Sequence, residues 1–298
     1  MRVLITGVTG LLGRYIAKTA PPGAQILGVT RSQLVSPGMK WSKLDLLDFD
    51  ATRSLIRQER FDTVIHAAAE GNVDNVAGAR DKFTALNVGL PELLAEEAAR
   101  LDSSFVHISS NAVFGGREEP YSDFDSPSPM NDYGVLKAEA ERRVLSAFPN
   151  AAVIRPILMY GWPSNGGRPN IALRFLQEMS KGRGVSALKD VVSQPLYAGD
   201  CARAVWAALD QGVSGPINVS GGVTLSIYEF AVLITEVFDL DADLVTPIES
   251  SQLDGLSPRP QRTTFSLERL HRELQLIPST PRAGLEVMRA DPDKDFWL

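Results

Sequence analysis

The fold of this chain is indicated by the stretch RVLITGVTGLLG, which occupies residues 2–13. Its first five residues are apolar and rich in β-branched side chains, so we predict a buried strand at residues 2–6. Three glycines punctuate the turn that follows: Gly7, Gly10 and Gly13. Residues 11–20 then have helical periodicity. A strand, a glycine turn and a helix in this order direct free N–H groups at a phosphate. The stretch therefore predicts the phosphate-binding turn of a dinucleotide site, although the glycines alone also fit an ordinary strand–turn–helix.

The rest of the first half continues this alternation of strands and helices. Further strands are predicted at residues 25–30, 62–66 and 104–108. Strands that alternate with helices are typical of a doubly wound parallel α/β (Rossmann) sheet. We expect this sheet to occupy residues 1–156, with returning segments near residues 191–220. Residues 157–298 are expected to form mainly a smaller substrate-binding lobe.

Arg31 directly follows the second predicted strand. An NAD site usually has a carboxylate at this point, where it binds the ribose 2′-hydroxyl. A guanidinium instead can form charge-assisted hydrogen bonds with a 2′-phosphate. Arg31 therefore predicts that NADP(H) is preferred over NAD(H); the alternative is a solvated surface arginine.

Three polar residues in the middle of the chain can carry proton transfer: Ser110, Tyr133 and Lys137. Tyr133 and Lys137 are four residues apart on a predicted helix at residues 132–147, so they share one face. The pKa of a free tyrosine is about 10, and a neighbouring ammonium lowers it. We therefore expect Lys137 to lower the pKa of Tyr133, which would exchange a proton beside a nicotinamide ring.

The ordered set of these motifs resembles the extended short-chain dehydrogenase/reductase family over nearly the whole chain. The matching positions are the turn at residues 7–13, Asp45-Leu46, Ala67-Ala68-Ala69, Asn87, Ser109-Ser110, Tyr133-x-x-x-Lys137 and Arg155-Pro156. The resemblance implies that Tyr133 donates the proton and that Lys137 also binds the nicotinamide ribose. It places the hydroxyl that holds the substrate oxygen on Ser110 rather than Ser109.

The resemblance also implies a set of cofactor contacts, to which Arg31 is added. The expected contacts are Gly7, Thr9, Gly10, Leu11, Leu12, Gly13, Arg31, Asp45, Leu46, Ala67, Ala68, Ala69, Asn87, Tyr133, Lys137 and Pro156. Asp45 and Leu46 would flank the adenine, and Pro156 would lie near the nicotinamide. Two structural interpretations are equally compatible with the sequence. Asp45 would cap a helix that begins around Asp48, and the side-chain amide of Asn87 would bond to the backbone.

Within the family, the chain resembles the branch that contains dTDP-4-dehydrorhamnose reductase and the methionine adenosyltransferase regulatory β-subunit. The resemblance includes residues 113–116, Pro120-Tyr121 and Arg259-Pro260. The chain departs from the reductases at Asn111-Ala112 and Leu158, where they usually have Asp-Tyr and Trp. These positions would face the sugar, so the sugar and the nucleotide stay open.

The candidate substrate-binding residues come from the loops after the strands and from the C-terminal lobe. They are Asn111, Phe114, Leu158, Arg168, Gln194 and Arg259. Arg168, Arg259 and also Arg262 are candidates for a pyrophosphate-bearing substrate, because a guanidinium suits bidentate phosphate binding. Each arginine also fits a solvated surface position.

Three functions are compatible with these residues. The first is an NADPH-dependent reductase of a nucleotide-linked 4-keto-6-deoxysugar. The second is a related enzyme: a nucleotide-sugar epimerase or dehydratase, or a reductase of a non-sugar carbonyl. Arg31 argues against the epimerase, and Asn111-Ala112 against the dehydratase, which usually has an acidic pair there. The third is a non-catalytic NADP-binding regulatory subunit like the methionine adenosyltransferase β-subunit.

Composition agrees with a globular enzyme. The 298 residues carry a net charge of −6, which offers no basic surface for nucleic acid. No apolar run approaches the ~20 residues that cross a membrane, and no signal peptide is evident, so we expect a cytoplasmic protein. Cys201 is the single cysteine, and the three histidines have no zinc-type spacing, so we predict no metal site. A homodimer is possible by analogy with the family.

Overall fold

The computed structural model describes residues 1–31, 39–71, 80–164, 167–253, 258–293 and 297. The strands are β1 (Arg2–Thr6), β2 (Gln25–Thr30), β3 (Lys40–Lys43), β4 (Thr63–His66), β5 (Ser104–Ile108), β6 (Ala152–Pro156), β7 (Met159–Tyr160), β8 (Val185–Leu188), β9 (Val192–Ser193), β10 (Leu196–Tyr197), β11 (Gly215–Val219), β12 (Leu225–Ser226) and β13 (Val245–Ile248). The α-helices are α1 (Leu11–Lys18), α2 (Phe49–Glu59), α3 (Arg80–Thr84), α4 (Leu90–Arg100), α5 (Asp132–Ala147), α6 (Ile171–Met179), α7 (Ala198–Asp210), α8 (Ile227–Phe238), α9 (Glu268–Glu273) and α10 (Pro281–Ala290).

A seven-stranded parallel sheet forms the centre of the molecule. Its strand order is β11-β6-β5-β4-β1-β2-β3, and the six pairings are all parallel. The chain order reverses direction at β1, which is the doubly wound arrangement that binds ligands at the carboxyl ends of its strands. The predicted Rossmann sheet is therefore confirmed. β11 lies within the predicted returning segment and forms one edge of the sheet.

The sheet is covered on both faces because alternate side chains along each strand point in opposite directions. On one face Val3, Ile5 and Val106 pack with residues of α1 and α7. On the other face Leu4 and Val64 pack with residues of α2, α4 and α5. Pairs of very short strands lie outside the main sheet: β7 with β10, β9 with β12, and β8 with β13. No helix in the described ranges has both the length and the apolar character needed to span a bilayer.

The helix that carries Asn87 departs from regular α geometry. Between α3 and α4, Ala85–Gly89 forms a π-helical turn. Such wide turns occur mostly as single insertions in α-helices and frequently at functional sites. Here the turn places the side chain of Asn87 beside the loop that follows β4, because the amide of Asn87 bonds to Glu70.

Candidate active site

A groove of about 240 Å³ lies at the carboxyl ends of β1, β2 and β4. Its lining residues are Gly7, Thr9, Gly10, Val29, Thr30, Arg31, Leu44, Asp45, Leu46, Leu47, Ala67, Ala68, Ala69 and Leu86. Nine of the expected cofactor contacts are therefore together in one depression. Leu11, Leu12 and Gly13 lie instead in the first turn of α1, whose start faces the same groove through Gly10.

The glycine turn brings α1 very close to β1. The N–H of Gly10 donates to the carbonyl of Gly7 at 2.9 Å. A Cβ atom on Gly13 would lie 2.2 Å from the Gly7 carbonyl oxygen, so no larger residue fits there without a shift of the backbone. Among the described residues no side chain caps the start of α1, and its first turn holds no acidic residue. The first N–H groups of α1 are therefore available to an anion in the groove.

Arg31 and Asp45 lie at the end of the groove formed after β2 and β3. Arg31 is exposed and directly follows β2, as the sequence predicts. Asp45 accepts a hydrogen bond from the N–H of Leu47 at 3.1 Å. The cap of α2 is Asp48, which accepts from the N–H of Ala51 at 2.9 Å. Of the two alternatives for Asp45, the helix cap is therefore wrong, and Asp45 is one of the residues that line the groove.

Asn87 bonds to the backbone just beyond the alanines that line the groove. Its Nδ2 donates to the carbonyl of Glu70, and its Oδ1 accepts from the N–H of Glu70, both at 3.2 Å. Asn87 is 1% exposed. This residue therefore holds the segment after β4 in place, and its amide is committed to the backbone.

Two adjacent serines end β5 in different environments. Ser109 is buried, and its hydroxyl donates to the carboxylate of Glu141. The hydroxyl oxygen of Ser110 accepts from the N–H of Ala112 at 3.1 Å and so caps the short 3₁₀ turn at Asn111–Val113. The same hydroxyl donates to Oδ1 of Asn111 at 3.5 Å, a long bond that a better-placed acceptor can replace.

The first turn of α5 is held against that 3₁₀ turn. Asn131 caps the helix by accepting from the N–H of Gly134 at 2.9 Å. A Cβ atom on Gly134 would lie 2.1 Å from the Ala112 carbonyl oxygen, so the approach requires glycine. This close packing brings Tyr133 next to Ser110. Burial raises the pKa of Tyr133 to about 12, hydrogen bonding with Ser110 opposes this effect, and the charge of Glu70 adds to it.

Lys137 lies one turn further along α5 and is 1% exposed. Its Nζ donates to the carbonyl of Ile108, the last residue of β5, at 2.7 Å. Burial lowers the pKa of Lys137 to about 8, and the charge of Glu141 opposes this shift. The expectation that Lys137 lowers the pKa of Tyr133 is wrong for this structure, because burial of the phenol dominates. Tyr133 is consequently a protonated phenol at neutral pH, which is the form that a proton donor requires.

Two buried histidines lie beneath Lys137, on neighbouring strands. The rings of His66 and His107 stack with their centroids 5.5 Å apart. His66 bonds through Nδ1 to the Thr6 hydroxyl at 2.7 Å, whereas neither ring nitrogen of His107 has a hydrogen-bond partner in the described part of the chain. Burial and the charge of Lys137 lower the pKa of His66 to about 3 and that of His107 well below its ordinary value. Both rings are therefore neutral.

The expected substrate residues do not share one environment. Asn111 begins the 3₁₀ turn beside Ser110 and is half-buried. Leu158 follows β6 with a φ of +34°, a conformation that is strained for leucine and that concentrates at functional sites. Arg168 and Arg259 are exposed. Pro156, the expected nicotinamide neighbour, is the buried last residue of β6.

Phe114 and Gln194 have structural partners. Phe114 is fully buried and stacks on Tyr121, with the ring centroids 4.1 Å apart. The side-chain oxygen of Gln194 accepts from the N–H of Phe265 at 2.6 Å and from the Ser220 hydroxyl at 3.0 Å. Phe114 is therefore held in place by aromatic packing, and Gln194 is held by its hydrogen bonds to Phe265 and Ser220.

Sequence reasoning missed Glu141. This carboxylate is buried and accepts from Ser109 and from Arg155. The sequence contains one indication of this residue: Tyr133, Lys137 and Glu141 follow one another at intervals of four, so they share one helix face.

A family model described as RmlD substrate binding domain matches residues 1–292. Methionine adenosyltransferase 2 subunit beta of Rattus norvegicus is 33% identical over 279 residues, which cover 90% of this chain and 81% of that protein. The dTDP-4-dehydrorhamnose reductase of Mycolicibacterium smegmatis is 31% identical over 273 residues, covering 90% and 79% of the two chains.

Solved structures agree with the same fold. A crystal structure described as a dTDP-4-dehydrorhamnose reductase from Clostridium acetobutylicum superposes with a TM-score of 0.87 at 25% identity, covering 97% of this chain and 98% of that one. The dTDP-4-dehydrorhamnose reductase of Bacillus anthracis, solved in complex with NADP, gives a TM-score of 0.85 at 24% identity with the same coverage. The strand order, the glycine turn and a match over nearly the whole length lead to one assignment: the chain belongs to the RmlD substrate-binding-domain family of extended short-chain dehydrogenases/reductases.

Proposed function

We propose that this protein is an NADPH-dependent reductase of a nucleotide-linked 4-keto-6-deoxysugar. The observation that carries the proposal is the meeting of Ser110, Tyr133 and Lys137 at the carboxyl end of β5, on the same edge of the sheet as the glycine-turn groove. A groove for a dinucleotide beside a proton donor is the arrangement that carbonyl reduction needs.

The residues of the groove fit a dinucleotide. The N–H groups at the start of α1 would bind its pyrophosphate, because they have no side-chain cap among the described residues and no acidic neighbour in the first turn. Asp45 and Leu46 would flank the adenine, and the exposed guanidinium of Arg31 would pair with a 2′-phosphate. When bound, the nicotinamide supplies the hydride for carbonyl reduction.

The chain itself supplies the proton and holds the carbonyl. Tyr133 would donate its phenolic proton to the carbonyl oxygen, and its raised pKa keeps that proton in place until the oxygen becomes basic. Ser110, whose oxygen accepts from Ala112, would donate to the same oxygen in place of its long 3.5 Å bond to Asn111. Lys137 is fixed by Ile108 and would hold the nicotinamide ribose.

The choice of a nucleotide sugar rests on the relatives. One relative that is 31% identical to this chain over 273 aligned residues is named dTDP-4-dehydrorhamnose reductase. Asn111 and Leu158 differ from what that branch usually has at positions that would face the sugar. We therefore expect a substrate of the same chemical class, in which the sugar or the nucleotide can differ.

The test is NADPH oxidation followed at 340 nm with dTDP-4-keto-6-deoxyglucose, its 3,5-epimerised form and the GDP- and UDP-linked counterparts. Wild type and Tyr133→Phe would be compared side by side. Turnover by the wild type alone would support the proposal and identify the sugar. NADPH binding without turnover on any of these substrates would contradict it.

A second candidate is favoured by one observation. Five further vertebrate proteins named methionine adenosyltransferase 2 subunit beta are 31–32% identical to this chain. On this alternative the chain binds NADP and regulates a partner enzyme without turning over a sugar. Co-purification with a methionine adenosyltransferase, combined with no turnover in the sugar assay, would favour it over the reductase.

A further inference from the structure

Glu141 is a buried carboxylate that the proposed chemistry leaves without a role. It is 3% exposed and lies on the inner face of α5. Both of its oxygens accept hydrogen bonds from Arg155, at 2.9 Å from Nε and 2.6 Å from Nη2. The Ser109 hydroxyl donates to the same carboxylate from the end of β5. Glu141 is thus fixed from two neighbouring strands.

Arg155 is itself held firmly. Its Nη1 donates to the carbonyl of Asp123 at 3.0 Å, and its guanidinium lies 5.1 Å from the centre of the Phe114 ring. A planar guanidinium that makes a bidentate pair and stacks on an aromatic ring has little freedom to reorient. The position of the Glu141 carboxylate is therefore determined by the rigid ends of β5 and β6.

Glu141 follows Lys137 by four residues, so the two side chains are neighbours on the helix. The groups that face Lys137 come from several elements. They are Tyr133 and Glu141 on α5, His66 on β4, the Ile108 carbonyl and His107 on β5, and, through Glu141, Arg155 on β6. The histidines are neutral, and Arg155 is positive. Among these groups Glu141 carries the negative charge that stabilises the ammonium.

We propose that Glu141 is a positioning residue that keeps Lys137 charged inside the protein, with Ser109 and Arg155 holding the carboxylate in place. The inference rests on the proposed function, because it matters only if Lys137 serves a bound cofactor. Without Glu141, burial and the unpaired cation of Arg155 would both favour the neutral amine of Lys137. A cofactor contact that requires the ammonium would then be lost at a lower pH.

The experiment measures NADPH affinity from pH 6 to 10 by the fluorescence of the bound nucleotide. In the wild type we expect affinity to fall as Lys137 loses its proton, near its pKa of about 8. In Glu141→Gln the fall should move to lower pH by about one unit or more, because the Glu141 charge raises the pKa of Lys137 and a nearby opposite charge shifts a pKa by about 1–3 units. In Lys137→Met the fall should be absent.

Two further variants separate positioning from folding. Glu139→Gln removes a carboxylate from the same helix that pairs with Arg142 and Arg143, so its pH profile should match the wild type. Glu141→Leu/Arg155→Met replaces both buried charges with apolar side chains. Apolar replacement of a whole buried pair is often tolerated when the loss of one partner is not. If Glu141→Gln does not fold, this double variant decides the question. Its NADPH affinity should also fall at a lower pH than that of the wild type.

The two proposals fail in different ways. If the wild type binds NADPH and the folded Glu141 variants lose affinity at the same pH as the wild type, the positioning role is overturned. The reductase proposal then stands unchanged. An unchanged midpoint combined with lower stability would mean that the pair only ties α5 to the sheet, which also overturns it. No NADPH binding by the wild type at any pH would overturn the proposed function and this inference with it.

Discussion

The side-chain amide of Asn87 bonds to both backbone groups of Glu70, at 3.2 Å in each direction. The π-helical turn that carries Asn87 thereby fixes the chain directly after Ala67, Ala68 and Ala69, which line the groove. Asn87 thus supports the wall of the groove through the backbone of Glu70.

Replacing Asn87 by alanine should therefore weaken cofactor binding. Each lost hydrogen bond is worth about 0.5–1.5 kcal/mol, so we expect the dissociation constant for NADPH to rise about tenfold. Isothermal titration calorimetry would measure it. Asn150→Ala, at an exposed site before β6, is the matched control and should bind like the wild type. Unchanged affinity in Asn87→Ala would show that the alanine segment holds its shape without this clamp.

Substitution of each of the two serines that follow β5 should distinguish a catalytic role from a structural one. Ser110→Ala removes a hydrogen-bond donor to the reacting oxygen, so kcat should fall about 10²-fold or more while NADPH affinity stays near that of the wild type. Ser109→Ala removes a bond to Glu141, so it should lower the melting temperature and reduce kcat much less. Steady-state kinetics and thermal melts would distinguish them. The reverse ranking of kcat would transfer the catalytic role to Ser109.

Gly13→Ala should disrupt the phosphate-binding turn. The new Cβ would lie 2.2 Å from the Gly7 carbonyl oxygen, and a backbone atom has little room to move. We expect a loss of about 1–3 kcal/mol in the free energy of unfolding, which is typical of overpacking, together with weak NADPH binding. Urea unfolding and a binding titration would measure both. In the control Gly184→Ala, the nearest atom to the new Cβ is the Leu244 carbonyl oxygen at 3.5 Å, so this variant should behave like the wild type.

Arg31→Ala should reduce the preference for NADPH over NADH. A charge-assisted hydrogen bond is worth about 1.5–3 kcal/mol, so kcat/KM with NADPH should fall about 10- to 100-fold. The value with NADH should change only slightly, because NADH has no 2′-phosphate. Arg53→Ala on α2 is the control, since Arg53 lies outside the groove lining. Equal efficiency of wild type with both cofactors would contradict the assignment of Arg31.

Stability should decrease as the pH falls below about 6.5, the ordinary pKa of histidine. His66 has a folded-state pKa of about 3, and that of His107 is also lowered, so below pH 6.5 the unfolded chain binds protons that the folded chain does not. The contribution of the two histidines to stability is therefore complete above pH 6.5 and is lost on acidification, by up to about 1.4 kcal/mol per pH unit for each ring.

Urea unfolding at pH 7.5, 6.5 and 5.5 would test this dependence. His107→Phe should flatten it, because phenylalanine fills the same place without a titratable group and breaks no hydrogen bond to the described residues. His271→Gln, at an exposed position on α9, should leave the slope unchanged. Identical slopes in wild type and His107→Phe would mean that His107 does not contribute.

Local patterns were sufficient for much of the fold. The helix predicted at residues 132–147 is α5 with the same bounds, because its cap and side-chain pattern are contained in the local sequence. The first strand is also confirmed as predicted. The helix α10 and the short strand β3 were not predicted. β3 has a half-exposed, lysine-flanked sequence that pairing with β2 stabilises, and no local pattern encodes that pairing.

The sequence by itself determined the order of the motifs, the type of sheet and the names of the residues that can move a proton. Only the tertiary structure decided how each of the two serines is bonded, how burial sets the pKa of Tyr133 and which carboxylate Ser109 and Arg155 hold. These properties depend on distances between segments far apart in the chain, as when Glu141 meets Ser109 and Arg155. Spacing along a sequence predicts which residues share a helix face, whereas burial and charge pairing exist only after the helix packs on the sheet.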